Sequence, residues 1–147
     1  MKLIEKNKKA FFDYEFEEKI EAGIVLAGSE VKSVKMGNIS LRDAFCHAEK
    51  GEIFLKNCYI APYEKGSAFN EDPRRNRKLL LHKCEISRLI GKIKTKGFTL
   101  IPTAAYFLNN RVKIEIALGR GKKQHDKRDA IRERELKIEA ERAMLER

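Results

Sequence analysis

Two short basic runs hold most of the side chains in this 147-residue chain whose chemistry points to a ligand. Arg74-Arg75-Asn76-Arg77-Lys78 places four cations in five residues, just before Leu79-Leu80-Leu81. Lys122, Lys123, Lys127 and Arg128 form the second run, behind Gly119 and Gly121. Clustered Lys and Arg displace counterions from a phosphate backbone. Arg adds a planar donor fork that fits a phosphate, and Gly lets a backbone come close. Either run alone reads equally well as a solvated face. Together with Lys2, Lys6, Lys8 and Lys9 at the start and a formal net charge of +10, they point to a polyanion, and nucleic acid is favoured over a membrane surface. No apolar run approaches a membrane span.

Catalytic chemistry has little to work with. His125-Asp126 is the one pair that suggests a nuclease or a metal, yet no second His or carboxylate group stands at ligand spacing. Cys46, Cys58 and Cys84 are odd in number and show no CxxC spacing, so they read as reduced core residues of a cytoplasmic protein. Cys46-His47 lacks a second ligand pair. No enzyme, cofactor or metal is expected.

The elements that must carry these residues are mostly strands. Residues 1–9 read as a basic arm. Residues 10–20 alternate through Phe12, Tyr14 and Phe16 as a strand, Glu21-Ala22-Gly23 as a turn, and 24–27 as a second short strand. Ser29 reads as an N-cap, followed by a short helix that ends at Gly37. Residues 43–49 and 52–60 form a hairpin about Lys50-Gly51, with Phe54, Cys58 and Ile60 sharing a face. Residues 62–76 are a long polar loop, of the kind that is often functional. His82 and Glu85 mark a helix start, Ile86, Leu89, Ile90 and Ile93 its buried stripe, and Gly97 its end. Residues 98–107 and 111–118 form a last hairpin about Asn109-Asn110. The fold class is mainly β with short helices: an antiparallel OB-like barrel over residues 1–118, although a sandwich would use the same strands.

Residues 119–147 are a basic tail. Ile131, Ile138 and Leu145 recur at seven-residue intervals, too thin a stripe to bury a helix. A solvated helix and a segment that folds on a large anionic partner are both consistent with it.

Five segments in order carry a resemblance across nearly the whole chain. They are Asn7-Lys8-Lys9-Ala10 with Asp13-Tyr14, Glu21-Ala22-Gly23, Gly28-Ser29-Glu30-Val31-Lys32-Ser33, Asp72-Pro73 through Leu79-Leu80-Leu81, and Gly121-Lys122-Lys123-Gln124-His125-Asp126-Lys127-Arg128. On them the chain resembles the bacterial SsrA-binding protein family, also called small protein B. The resemblance implies a cytoplasmic OB-like protein that binds the tRNA-like domain of transfer-messenger RNA and joins it at stalled ribosomes in trans-translation; a monomer is the default expectation. It implies a tail that is disordered when free and forms a helix in an empty mRNA channel, beside small-subunit rRNA at the decoding centre. A generic OB-type binder of single-stranded RNA is the alternative.

Carried over by position, the RNA-binding set is Asn7, Lys8, Lys9, Glu21, Glu30, Lys32, Arg75, Arg77, Lys78 and Leu80, with the cations expected on phosphates. The two carboxylates are expected to accept from base amines or to orient a neighbouring Lys. Gly121, Lys122, Lys123, His125, Asp126, Lys127 and Arg128 match the decoding-centre segment, and Ile138 the channel helix. Phe12 departs from the family by replacing a polar or His residue, which exchanges a hydrogen bond for stacking. Glu71 brings an acid to a loop that is more basic in many members.

Overall fold

A computed structural model describes residues 1–63, 72–122, 131–132 and 134–138. The elements run β1 (Lys2–Lys6), α1 (Lys8–Asp13), β2 (Tyr14–Ile24), α2 (Gly28–Lys35), β3 (Ile39–Ser40), β4 (Phe45–Glu49), β5 (Glu52–Lys56), β6 (Tyr59–Ile60), β7 (Arg77–Leu80), α3 (Lys83–Lys96), β8 (Thr99–Leu108) and β9 (Arg111–Gly121). Seven strands form one antiparallel sheet in the order β1-β8-β9-β2-β7-β5-β4, and β3 pairs with β6. The sheet curls until β4 packs against β8, an OB-like arrangement whose edge strands β1 and β4 are not joined by a hydrogen-bonded seam. The core runs through Val34, Leu41, Ile53, Leu55, Leu79, Leu89, Ile114, Ile116 and Leu118.

Locally coded features fall where the sequence puts them. Lys50 and Gly51 (φ 50° and 75°) and Asn109 and Asn110 (φ 52° and 62°) have the paired positive φ that lets a two-residue turn follow strand twist. Helix α3 begins after His82, whose N–H donates to the Glu85 carboxylate at 3.1 Å, and ends at Gly97. Ile86 and Leu89 are buried, with Ile90 and Ile93 packed beside them.

Four expectations are corrected. The basic arm is strand β1, paired with β8 from Lys2↔Phe107 to Lys6↔Ala104. The start of the alternating aromatic run is helix α1, because Asn7 caps it: the Asn7 side-chain oxygen accepts from the Ala10 N–H at 3.2 Å. The Asn7 amide also donates to Leu41 O at 3.0 Å and Pro102 O at 2.8 Å. Glu21-Ala22-Gly23 is not a turn; β2 runs through it, bonded to β9. Gly23 serves there as space, since a Cβ would lie 3.1 Å from Leu80 Cβ. Ala27, not Ser29, precedes α2, and its N–H donates to the Glu30 carboxylate at 2.9 Å.

Face assignment also shifts between β5 and β6. Ile53 and Leu55 are buried while Phe54 is only half-buried, yet Cys58 and Ile60 are buried. Asn57, at φ 58°, inverts the alternation between the two sets. Cys46 and Cys58 lie in the core, and Cys84 is exposed. Burial pushes the Cys58 thiol up to about 12, so it stays protonated. Strand β9 continues to Gly121, three residues beyond the division expected at Leu118.

Asn7 ties the N-terminal segment to two loops far apart in sequence. Asn7→Ala is expected to lower unfolding stability by about 2–3 kcal/mol, the loss of a cap plus two stranded buried carbonyls. Urea denaturation checks this; a change within measurement error would show that water replaces the amide.

Candidate nucleic-acid interface

The run 74–78 does not act as one basic patch. Strand β7 alternates buried and exposed, so Arg77 and Leu79 point inward while Lys78 and Leu80 point outward. Arg77 has no exposed surface. Its Nε lies 2.6 Å from Glu30 Oε2, Nη1 donates to Cys58 O at 2.7 Å, and Nη2 donates to Pro73 O at 3.1 Å. Arg75 joins the same carboxylate: its Nε donates to Glu30 Oε2 at 3.2 Å and its Nη2 to Oε1. Burial alone would push the Glu30 pKa up. The bonds from Arg75, the Ala27 N–H and Arg77 outweigh it and hold the carboxyl below the usual range.

Glu30, Arg75 and Arg77 therefore form an internal joint between α2 and the approach to β7. In this arrangement Arg77 is buried and its donors are turned to Glu30, Cys58 O and Pro73 O. Arg75 is partly exposed and Glu30 is buried. The signal that separates Arg77 from Lys78 is present in the sequence: a strand that buries Leu79 must also turn Arg77 inward.

The remaining expected residues fall into three groups. Glu21, Lys78 and Leu80 are exposed on neighbouring strands β2 and β7, where Gly23 pairs with Leu80. Leu80 is 52% exposed, with its side chain lying over Gly23. Glu21 accepts a hydrogen bond from the Tyr106 hydroxyl, and Lys78 lies 3.6 Å from Glu52. Lys32, on α2, holds its ammonium 5.3 Å from the centre of the Tyr63 ring.

The second group surrounds α1. Lys8 and Lys9 are exposed, and Lys9 pairs with Asp43 at 3.2 Å. Asn7 is buried at 3% exposure, so in this conformation it holds the backbone of the group rather than facing a ligand. A cavity of about 460 Å³ lies here, lined by Lys6, Lys8, Lys9 and Arg42 together with Glu5, Asn7 and Ser40. Arg42 escapes sequence reasoning because it stands alone in its stretch of chain; the Asn7–Leu41 bond and the Lys9–Asp43 pair on either side bring it to the lysines. Lys6 and Lys19 hold their ammonium groups 4.5 and 5.0 Å from the Phe11 ring centre, and Phe12 is 38% exposed beside them.

The third group is the start of the tail. Gly121 ends β9, the Lys122 N–H donates to Asp13 O at 2.8 Å, and Lys122 Nζ donates to Phe11 O at 3.1 Å. Gly119 is required by a close approach, since a Cβ there would meet Phe16 at 2.9 Å. Lys123, His125, Asp126, Lys127 and Arg128 lie outside the described residues, as does Glu71. Residues 131–132 and 134–138 are helical, with Ile131, Leu136 and Ile138 exposed. Among the described residues, no three His, Cys, Asp or Glu side chains gather as a metal site. No described helix is long and apolar enough to cross a membrane.

The joint has a defined acid response. A carboxyl held below its unfolded pKa contributes stability that is present above the unfolded value and lost as pH falls through the folded one. Glu30→Gln is expected to cost about 3–5 kcal/mol near neutral pH, since it leaves two arginines facing an uncharged amide. The gap to the native protein narrows once the pH falls below the ordinary glutamate range and closes only below the lowered folded value, where native Glu30 also loses its charge. A pH series of denaturation curves tests this, and a gap that stays constant into acid would refute the assignment.

The family model described as SmpB protein matches residues 4–146. The SsrA-binding protein of Caldicellulosiruptor bescii is 52% identical over 146 residues, covering 99% of this chain and 92% of the relative. That of a Sulfurihydrogenibium strain is 53% identical over 142 residues, covering 97% and 93%. A solved chain from "tmRNA-SmpB: a journey to the center of the bacterial ribosome" superposes with a TM-score of 0.69 at 48% identity, covering 87% of this chain and 94% of that one.

Proposed function

The chain belongs to the SmpB protein family, and we propose that it binds the tRNA-like domain of transfer-messenger RNA and brings it to stalled ribosomes for trans-translation. The observation that carries this reading is the likeness to SsrA-binding proteins along 99% of the chain, basic tail included. The surface chemistry agrees with an RNA partner. Lys8, Lys9, Lys32, Lys78 and Arg42 stand outward on the body of a chain with a net charge of +10. Exposed Leu80 and Phe12 offer apolar area for bases or ribose.

Within this reading the phosphate contacts come from Lys8, Lys9, Arg42, Lys32 and Lys78, with Arg75 at their edge. Glu21 and Leu80 supply non-phosphate contacts. Asn7, Glu30 and Arg77 serve the same surface from beneath, by fixing the segments that carry those side chains. The tail is a separate working part. Lys122, Lys123, Lys127 and Arg128 meet rRNA phosphates at the decoding centre, with Gly121 and Asp126 in the same segment, and His125 stacks on an rRNA base. Ile138 belongs to a helix along the empty mRNA channel. The protein works in the cytoplasm, where its ribosomal partner is.

Two experiments divide the roles. Lys8→Ala, Lys32→Ala and Lys78→Ala should each reduce the slope of log affinity against log salt by roughly one unit. Unchanged slopes would make those lysines a solvated face. Replacing Lys123, His125, Lys127 and Arg128 together by Ala in the full chain should leave binding to transfer-messenger RNA intact and abolish tagging on stalled ribosomes. Equal affinity of the native protein for unstructured RNA at the same salt would favour a generic single-strand binder.

A further inference from the structure

The β1 and β4 edges of the sheet are not joined by a backbone ladder, and side chains bridge the gap instead. The Asn7 amide donates to Leu41 O at 3.0 Å, the Glu5 carboxylate accepts from the Leu41 N–H, and Lys9 Nζ donates to Asp43 Oδ1 at 3.2 Å. The segment that receives these bonds is itself fixed. Leu41 O also accepts from the Ala44 N–H, and the Asn57 amide donates to Asp43 O at 3.1 Å. Asp43 therefore presents its carboxylate from a held loop, and Lys9 reaches it from α1.

These bridges differ in permanence. Asn7 is buried, and its bonds are closed to solvent. The Lys9 and Asp43 side chains are 51% and 56% exposed, and an ion pair so open to water adds little to stability. Because Asn7 already fixes α1, the outer pair is dispensable as a brace. It is also within reach of a competing anion.

Lys9 stands at the boundary of two cavities. The first, of about 460 Å³, sets Lys6 and Lys8 beside Asn7, Lys9 and Arg42. The second, of about 260 Å³, shares Asn7, Lys9 and Arg42 and continues past Tyr14 and the half-exposed Phe45. A phosphate at the boundary would meet Lys8, Lys9 and Arg42 together, whereas among the described residues Asp43 pairs with Lys9 alone. A chain with ten more cations than acids attracts any polyanion. A carboxylate that must be displaced disfavours those that cannot bring a phosphate to all three cations at once.

We propose that Asp43 is an internal competitor for phosphate. In the free protein it holds Lys9 across the seam and keeps the two cavities apart. An RNA strand that brings a phosphate to Lys8, Lys9 and Arg42 displaces it, and the cavities join into one groove. The device rests on the RNA-binding reading above and adds to it a contact that opposes binding. It lies beside Tyr14, at the other end of β2 from Gly23 and Leu80.

The test measures the affinity of the full chain, at one salt concentration, for two transcripts: the tRNA-like domain of transfer-messenger RNA and the decoding region of small-subunit rRNA. Asp43→Asn keeps the loop intact, because Asn57 binds the carbonyl of residue 43 and not its carboxylate. Its melting temperature should be nearly unchanged. It should bind at least one transcript roughly 2- to 5-fold more tightly, the range of one exposed ion pair released. The transcript that gains is the one that uses the groove. In a Lys9→Ala background the same change should give little or no gain, since no pair remains to break. By NMR, the Lys9 ammonium resonances of the native protein and of Asp43→Asn should differ when free and converge once RNA is bound. An equal gain in both backgrounds would reduce Asp43 to a general negative charge and overturn the competitor. No gain with either transcript, or resonances that stay apart in the complex, would overturn it too and leave the RNA reading intact. A large fall in melting temperature in Asp43→Asn would make the pair a brace. Failure of the native protein to bind either transcript would instead remove the RNA reading itself.

Discussion

One carboxylate holds this fold's most demanding joint. Glu30, 5% exposed, accepts from Arg75 and Arg77 while also capping the backbone that starts its own helix. Arg77 extends the joint to Cys58 O and Pro73 O, and the Arg75 Nη2 donates to Val25 O at 3.4 Å. Helix α2, the end of β2, the entry to β6 and the loop before β7 are thereby fixed to one point. A buried ion group of this kind adds little net stability over an apolar one, but its geometry admits few alternatives. Its consequence is alternation. With Arg77 turned inward, Lys78 and Leu80 must turn outward, next to Glu21 and Gly23.

That constraint accounts for the uneven legibility of the sequence. Turns at Lys50-Gly51 and Asn109-Asn110, the start of α3 at His82 and its end at Gly97 depend on a few adjacent residues and can be read directly. Strand β1, the unbroken course of β2 and the helix at Lys8–Asp13 depend on partners about a hundred residues away, such as Ala104–Phe107, Pro102 and Gly119. Glu21-Ala22-Gly23 has turn composition, yet nine cross-strand partners from Tyr14 to Gly23 outweigh it. Between β5 and β6 a single positive φ at Asn57 inverts the burial phase, and no composition marks it.

The interface was legible as charge but not as direction. A basic run states how many cations are present; the strand period states which of them reach solvent. Lys8, Lys9, Lys32 and Lys78 are exposed, whereas Arg77 is internal and Asn7 works by closing Leu41 and Pro102 onto α1. Arg42 joins the lysines through that closure and the neighbouring Lys9–Asp43 pair. Resemblance gathers residues whose change would harm RNA binding, and such a set naturally mixes those that touch the ligand with those that hold its frame.

The start of the tail shows the same division from the other side. Lys122 is bound through its N–H to Asp13 O and through its ammonium to Phe11 O, at the end of the helix that Asn7 begins. Phe16 closes over Gly119, so no side chain can separate β9 from β2 there. The chain therefore leaves the body from a point set by the same short helix that presents Lys8 and Lys9. In the proposed division of roles, a tail aimed at a second site while the body holds RNA needs a fixed origin more than it needs a core. The exposure of Ile131, Leu136 and Ile138 fits the proposed reading, in which the tail meets its apolar partner on another molecule.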